Sequence, residues 1–304
     1  MNEWVIIGVP TSAGAHHAGQ ELAPAALRAA GLAERLRANG LQVGDGGDLP
    51  GAVFEPDPGS PDARNLAAVV RVASEVADRV AEVISSGQRP LVLGGDCTIT
   101  LGAVAGLRRA HSDAGLLYVD GDADLGVPGD GGSGIFDSMG VAHLLGLGAP
   151  ELAGLAGQPP LLEPARLAIL GSDPRETTDE GRKFLAGRGV SFAEAPAFAA
   201  DPAGVARQAL THIAAGSGPL LVHFDVDVVD SGDLPLGNFP HYGSGVRLEH
   251  AVSALRVLTA HQDLAGLVLT EVNPTHDPSG RELARLADAL ATALSPAGGP
   301  GRPR

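Results

Sequence analysis

The sequence predicts a single α/β domain of three layers, with helices covering both faces of a central, mostly parallel sheet. Two observations carry this reading. Short apolar runs typical of buried strands alternate along most of the chain with segments whose apolar residues recur at helical spacing. Neither a linker nor an internal repeat interrupts the pattern, so residues 1–294 form one domain, and the Gly-, Pro- and Arg-rich residues 295–304 are expected to be a disordered tail. A chain of 304 residues, 44% of them apolar, is long enough to bury one large core.

Taken in order, Trp4–Val9 is a strand and Pro10–Gly19 a polar loop, and Pro24 opens a helix running to Asn39. A short strand near Leu41–Val43 leads into an exposed connection rich in Gly, Pro and Asp. Leu66, Val69, Val72, Val76, Val80 and Val83 mark one face of a helix over Arg64–Ser85. Pro90–Leu93 is a buried strand entering Gly94-Gly95-Asp96-Cys97, and a helix follows to about Ala110. Strand Gly115–Val119, a Gly-rich loop, a helix near Ser138–Leu147 and strand Leu167–Leu170 come next, the last closed by Gly171-Ser172-Asp173-Pro174-Arg175. Helix Thr178–Gly187, strand Val190–Phe192, helix Pro202–Ala215 and strand Leu220–Phe224 precede a long loop over 230–245. Helix Arg247–His261, strand Leu267–Val272 and helix Pro278–Leu294 complete the domain.

The charge balance limits the partners. A formal net charge of −15, with Lys183 the one lysine, argues against nucleic acid and against an anionic membrane. One cysteine, Cys97, excludes an intramolecular disulfide and fits a reducing compartment. No basic segment precedes the first strand, and no apolar run approaches the length of a membrane span, so a cytoplasmic protein is expected.

The chemistry is concentrated in Gly115-Leu116-Leu117-Tyr118-Val119-Asp120-Gly121-Asp122-Ala123-Asp124. This apolar run ends in three carboxylates at alternate positions, which extended backbone would turn to one side. Leu220–Phe224 ends similarly, in Asp225 and Asp227. Clustered carboxylates repel unless they are protonated, solvated or bound to a cation. Ligands of open parallel sheets bind outside the carboxyl ends of the strands, so five carboxylates delivered there argue for a metal site holding more than one ion. A calcium loop of the EF-hand type needs Gly and Glu at its sixth and twelfth positions, where this chain has Leu125 and Gly131. A solvated acidic turn would account for either stretch alone, but not for both at strand ends. Cys97 stands at a third strand end, either as a small buried hydrophobe or as a thiolate ligand. Glu271, at a fourth, is either a structural carboxylate or an acceptor for a cationic substrate.

These residues carry a resemblance to the ureohydrolases, the superfamily of arginase, agmatinase and formiminoglutamase, over about residues 4–294. Gly94-Gly95-Asp96-Cys97 resembles the family's Gly-Gly-Asp-His box, and Asp120–Asp124 its Asp-Ala-His-x-Asp box. Asp225-Val226-Asp227-Val228-Val229-Asp230 resembles Asp-x-Asp-x-x-Asp-Pro, with Ser231 in place of Pro, and Glu271-Val272-Asn273-Pro274 is intact. The resemblance implies an arginase-like fold and two Mn2+ ions. Asp120 and Asp225 would bridge the ions, Cys97 and Asp124 would complete one, and Asp122 and Asp227 the other. A hydroxide between the ions would attack a guanidinium carbon, with Glu271 holding the guanidinium. Ser133, Asp137 and Asp173 are further candidates, Ser133 and Asp173 for binding substrate and Asp137 for proton transfer. A homo-oligomer is also implied, without an identifiable interface.

Departures from the family pattern shape the expected reaction. Cys97 and Asp122 replace two histidine ligands, so five carboxylates and a thiolate face two divalent ions. Extra negative charge makes bound water less acidic, and sulfur shifts preference toward zinc or iron(II). In Ser133-Gly134-Ile135-Phe136-Asp137, Ile135 and Asp137 replace the Asn and His of a family box for the substrate carboxylate and the proton shuttle. Asp137, His16, His17, His241 or His276 is then left to move the proton. Three readings follow: an amidinohydrolase of a modified guanidine such as Nω-hydroxyarginine, releasing urea or hydroxyurea; a conventional arginase, agmatinase or formiminoglutamase; and a non-catalytic protein binding a metal or a guanidino ligand. Joint retention of Asp120, Asp124, Asp225, Asp227 and Glu271 favours hydrolysis.

Overall fold

The acidic loops all leave from one rim because every strand of the sheet runs the same way. The computed structural model describes residues 3–213 and 218–296. Its strands are β1 (Trp4–Gly8), β2 (Val43–Asp48), β3 (Arg89–Leu93), β4 (Gly115–Val119), β5 (Leu167–Ser172), β6 (Ser191–Glu194), β7 (Leu220–Asp225) and β8 (Leu264–Thr270). They form one sheet in the order β2-β1-β3-β8-β7-β4-β5-β6, with every neighbouring pair parallel.

Alternate strand residues supply two cores. Ile6, Leu93, Val119 and Phe224 pack on one face beneath α1 (Ala23–Ala29), α2 (Leu32–Ala38), α8 (Ala195–Ala200), α9 (Pro202–Ile213), α10 (Leu248–Thr259) and α11 (Arg281–Leu294). Ile7, Val92, Tyr118 and Val268 face α3 (Leu66–Ser85), α4 (Ile99–Ala110), α5 (Gly140–Leu144), α6 (Pro150–Ala153) and α7 (Asp179–Arg188). This is the three-layer α/β/α architecture expected from the alternation of elements. No described helix is long and apolar enough to cross a membrane.

Element boundaries differ for identifiable reasons. The helix expected over Ala25–Asn39 breaks at Gly31, whose φ of 76° is left-handed, giving α1 and α2. The second strand runs over Val43–Asp48 rather than Leu41–Val43. As an exposed edge it needs no apolar pattern. The helix expected at Ser138–Leu147 is shortened to a 3₁₀ turn and α5, and Leu147 N turns back onto Ala142 O at 2.9 Å. α11 begins at Arg281 rather than Pro278 because Asp277 Oδ2 accepts from Leu283 N at 2.9 Å, outside the helix. α6 and α8 are additional to the expected elements, and both are short helices with a proline in the first turn. Residues 214–215 of the helix expected to reach Ala215, and 297–304 of the expected tail, lie outside the described residues.

Candidate metal centre

β4 and β7 are neighbours, with Tyr118 beside His223 and Val119 beside Phe224, so the carboxylates that follow them meet. Each strand end is turned by its own aspartate. Asp120 Oδ1 accepts from Asp122 N at 2.7 Å, and Asp225 Oδ1 from Asp227 N at 2.8 Å. These turns replace the extended geometry expected beyond Val119, and the three carboxylates of 120–124 therefore point in different directions. Asp120 Oδ2 faces His223 Nε2 at 3.1 Å. Asp122 turns to His241, with Oδ2 3.4 Å from Nε2. Asp124 adopts a left-handed φ of 44° and accepts from the Tyr118 hydroxyl at 2.5 Å.

Cys97, between β3 and α4, completes the first cluster. Its Sγ lies 2.7 Å from Asp225 Oδ2 and 3.9 Å from both Asp120 Oδ2 and His223 Nε2. One ligand atom from each of Cys97, Asp120, His223 and Asp225 falls within 4.8 Å of the others. Asp122, Asp227 and His241 form a second such group, and Cys97, Asp137 and Glu271 a third. Glu271 is also left-handed, at φ 63° just past β8. Gln20 Nε2 donates to its Oε2, while its Oε1 is buried with no hydrogen-bond partner. Asp137 Oδ1 accepts from Cys97 N at 3.0 Å, and a carboxyl oxygen of Asp137 stands within 4.8 Å of one of Glu271.

Electrostatics show what the cluster lacks. Among the described residues, Asp120, Asp122, Asp124, Asp137, Asp225, Asp227 and Glu271 form no ion pair with a lysine or arginine. Burial, and then the charge of Asp122, pushes Asp120 up to about 7. Burial and mutual repulsion hold Asp124, Asp137, Asp225, Asp227 and Glu271 well above the usual carboxylate range. The Cys97 thiol is raised by burial and by Asp225 and Asp120. Burial depresses His223 to about 3 and keeps it neutral, with Thr100 Oγ1 at 2.7 Å from its Nδ1. At His241 burial works in the same direction, but Asp122, Asp227 and Asp173 overcome it and raise the ring to about 10.

Divalent ions answer this arrangement. Taking a carboxylate out of water without a counter-charge costs several kcal/mol. Among the described residues His241 is the one cationic neighbour of these groups, their further support including hydrogen bonds from backbone N–H groups, Tyr118, Thr270 and Gln20. Oxygen donors with two imidazoles, His223 and His241, and one thiol nearby form a ligand set that divalent cations fit, and the orphaned Glu271 Oε1 leaves one carboxylate oxygen free for a further cation. The centre opens into a cavity of ≈ 480 Å³ lined by Cys97, Asp120, Asp122, Asp124, Asp137, Asp225, Asp227 and Glu271, with His16 and Phe239.

Two expected substrate contacts stand elsewhere. Ser133 is exposed beside the cavity residue Gly132, with its carbonyl taken by Arg64 Nε at 3.0 Å and its Oγ by Ile135 N at 3.2 Å. Asp173 is buried away from the cavity. Its carboxylate is occupied by Arg175 at 2.8 Å, by the Ser244 hydroxyl and by His241 Nδ1 at 3.2 Å, so it has no oxygen directed at a ligand. His17 and His276 are exposed and do not line the cavity. His223 and Gln20 were not singled out in the sequence. His223 had a signal: it lies two residues before Asp225 on one strand and so shares its face.

Relatives agree with the geometry. The chain matches the family model described as "Arginase family" over residues 2–295. It is 30% identical over 295 residues to an arginase from Bacillus caldovelox, covering 95% of this chain and 96% of the relative. It is 29% identical over 299 residues to human arginase-1, covering 95% and 91%. Among solved structures, arginase from Bacillus cereus superposes with a TM-score of 0.87 at 26% identity, covering 98% of this chain and 99% of that one. A formiminoglutamase from Trypanosoma cruzi shares the fold, with a TM-score of 0.75 at 17% identity. The buried carboxylates, their order along the chain and this similarity over nearly its whole length place the protein in the arginase family, whose members hydrolyse C–N bonds of amidines.

Proposed function

We propose that the chain hydrolyses a C–N bond of a guanidino compound in this cavity, and that its preferred substrate is a hydroxyguanidine such as Nω-hydroxyarginine, which would release hydroxyurea. The observation that carries the reading is Glu271. Its Oε1 is buried and unpartnered in a cavity shared with the acidic cluster, while Gln20 fixes the other oxygen. A planar, cationic array of N–H donors is the group such a carboxylate accepts.

Asp120 and Asp225 would lie between two ions, with Cys97 and Asp124 holding one and Asp122 and Asp227 the other. Manganese is the metal we assign, with zinc or iron(II) favoured to the extent that Cys97 ligates. When bound, such ions supply an acidified water and a Lewis acid. The protein's own groups do the rest. Glu271 and Gln20 orient the guanidinium in the cavity that the cluster lines. Burial and Asp96 raise the Asp137 carboxyl, and it lines the cavity within 4.8 Å of Glu271, where it would serve as the acid for the departing amine.

The preference for a hydroxyguanidine follows from the altered ligand set. The extra negative charge of Cys97 and Asp122 would weaken the nucleophile. An N-hydroxyl lowers the basicity of the guanidine and eases attack at its carbon, while the nitrogen that departs, leaving hydroxyurea, is the unhydroxylated one. Metal-loaded protein assayed with L-arginine, Nω-hydroxy-L-arginine, agmatine and formimino-L-glutamate, scored for urea, hydroxyurea or formamide, tests this. The hydroxylated substrate should exceed arginine by about tenfold or more in kcat/KM. Absence of turnover on every guanidino compound, with both ions bound, sinks the reading.

A further inference from the structure

The loop over 230–245 brings His241 into the group formed by Asp122 and Asp227, and no motif of the sequence assigns it a role there. Its backbone is pinned at both its N–H and its carbonyl. His241 N donates to Ser231 Oγ at 3.1 Å, and its carbonyl accepts from Ser231 N at 3.0 Å. The ring is only 1% exposed, and Nδ1 lies 3.2 Å from Asp173 Oδ2. Nε2 is buried with no hydrogen-bond partner, 3.4 Å from Asp122 Oδ2 and 4.0 Å from Asp227 Oδ2.

Those separations suit a shared ion. Donor atoms bound to one metal at about 2.1 Å stand roughly 3–4 Å from one another. A ligating imidazole almost always donates its other N–H to a carboxylate or carbonyl, which fixes both tautomer and ring plane. Asp173 occupies that position here, which gives a reason for a buried carboxylate that the cavity does not use. Space for the ring comes from Gly121. A Cβ at that position would stand 2.6 Å from His241 Nε2, 2.8 Å from its Cδ2 and 2.9 Å from Asp227 Oδ1. In the Asp-Ala-His-x-Asp box this chain has Gly121 for Ala and Asp122 for His, so one change removes an imidazole and the other makes room for a different one.

We propose that His241 is a metal ligand: its Nε2 joins Asp122 and Asp227 in holding the second ion, and Asp173 acts as a positioning residue by holding the ring through Nδ1. The proposal rests on the two-ion reading of the centre.

Chelator-stripped protein titrated with Mn2+, with bound metal measured by elemental analysis and the coupling between ions by electron paramagnetic resonance, tests it without an activity assay. Wild type should take up two ions per chain and show the spectrum of a coupled pair. His241→Ala should keep one ion, lose the coupled spectrum, and bind the second ion at least about tenfold more weakly. Asp173→Asn should weaken the same ion by roughly 10- to 100-fold and leave the other unchanged. Gly121→Ala keeps the imidazole in the chain but closes its space, and should reproduce the His241→Ala result even if deletion of the ring impairs folding. Asp225→Ala, which removes a carboxylate placed between the ions, should lose both. Two ions of wild-type affinity in His241→Ala or in Gly121→Ala overturn the proposal, as does a wild type that saturates at one. A wild type that takes up no ion overturns the two-ion reading itself, and that failure is visible before any variant is made.

Discussion

Cys97 Sγ lies 2.7 Å from Asp225 Oδ2, and the contact joins a thiol to a carboxylate at the place where the family box has an imidazole. Burial, with the charges of Asp225 and Asp120, pushes the thiol up, so without an ion Cys97 is a neutral donor to Asp225. To become a ligand it must first release that proton.

Retention of manganese should therefore improve in Cys97→His, which offers a neutral nitrogen of the hardness manganese accepts. We expect about a tenfold gain in Mn2+ affinity at neutral pH, equivalent to removing one unit of proton competition. Chelator competition measures it. Unchanged affinity would show that neither the thiol's proton nor its softness limits the site.

Glu271→Gln should keep the metal content of the wild type while losing kcat/KM. Replacing a charged acceptor by a neutral one removes about 1.5–3 kcal/mol of binding to a cationic group, or roughly 10- to 100-fold. Steady-state kinetics on the guanidino panel, beside metal analysis, checks both halves. A variant with wild-type kcat/KM would remove Glu271 from substrate recognition.

The metal-free protein should lose stability as pH rises from about 6.5 to 9. His241 titrates at about 10 when folded against about 6.5 in an unfolded chain, so over this range the folded state keeps a proton that the unfolded state has released. Asp120, raised to about 7, acts with the same sign in the lower part of the window, and the other raised carboxylates reinforce it. Each retained proton costs about 1.4 kcal/mol per pH unit. His223, depressed to about 3, has the opposite sign, but only below about 6.5. Thermal melts with chelator at pH 6.5 and pH 9 read the slope, and a melting temperature that climbs over this interval contradicts the assignment. The shift induced by saturating Mn2+ should grow over the same interval, since the ion competes with these protons.

The central strands were legible along the chain because a strand buried on both faces must be largely apolar, and β3, β4, β7 and β8 are, with polar residues at their ends and His223 inside β7. The edge strand β2 is not legible in the same way, because exposure removes the requirement. The carboxylates of the centre were legible for a related reason: a charged group directly after a buried strand needs a cause, and in a parallel sheet all such ends share one rim.

By itself, then, the sequence determined the sheet, its acidic rim and the family. Tertiary structure alone decided how the carboxylates divide and which side chains join them. Asp120 and Asp225 bend their own backbones, which sends Asp122 and Asp227 toward one group and leaves Asp120 and Asp225 in another. Gln20, on a 3₁₀ turn, and His241 and Asp173, on loops, arrive from segments distant in sequence, and Ser133 is turned outward. Periodicity reports which face of an element is buried. It carries no information about which loops meet once those elements are packed, and that meeting gives Glu271 its one partner and His241 its place among the carboxylates.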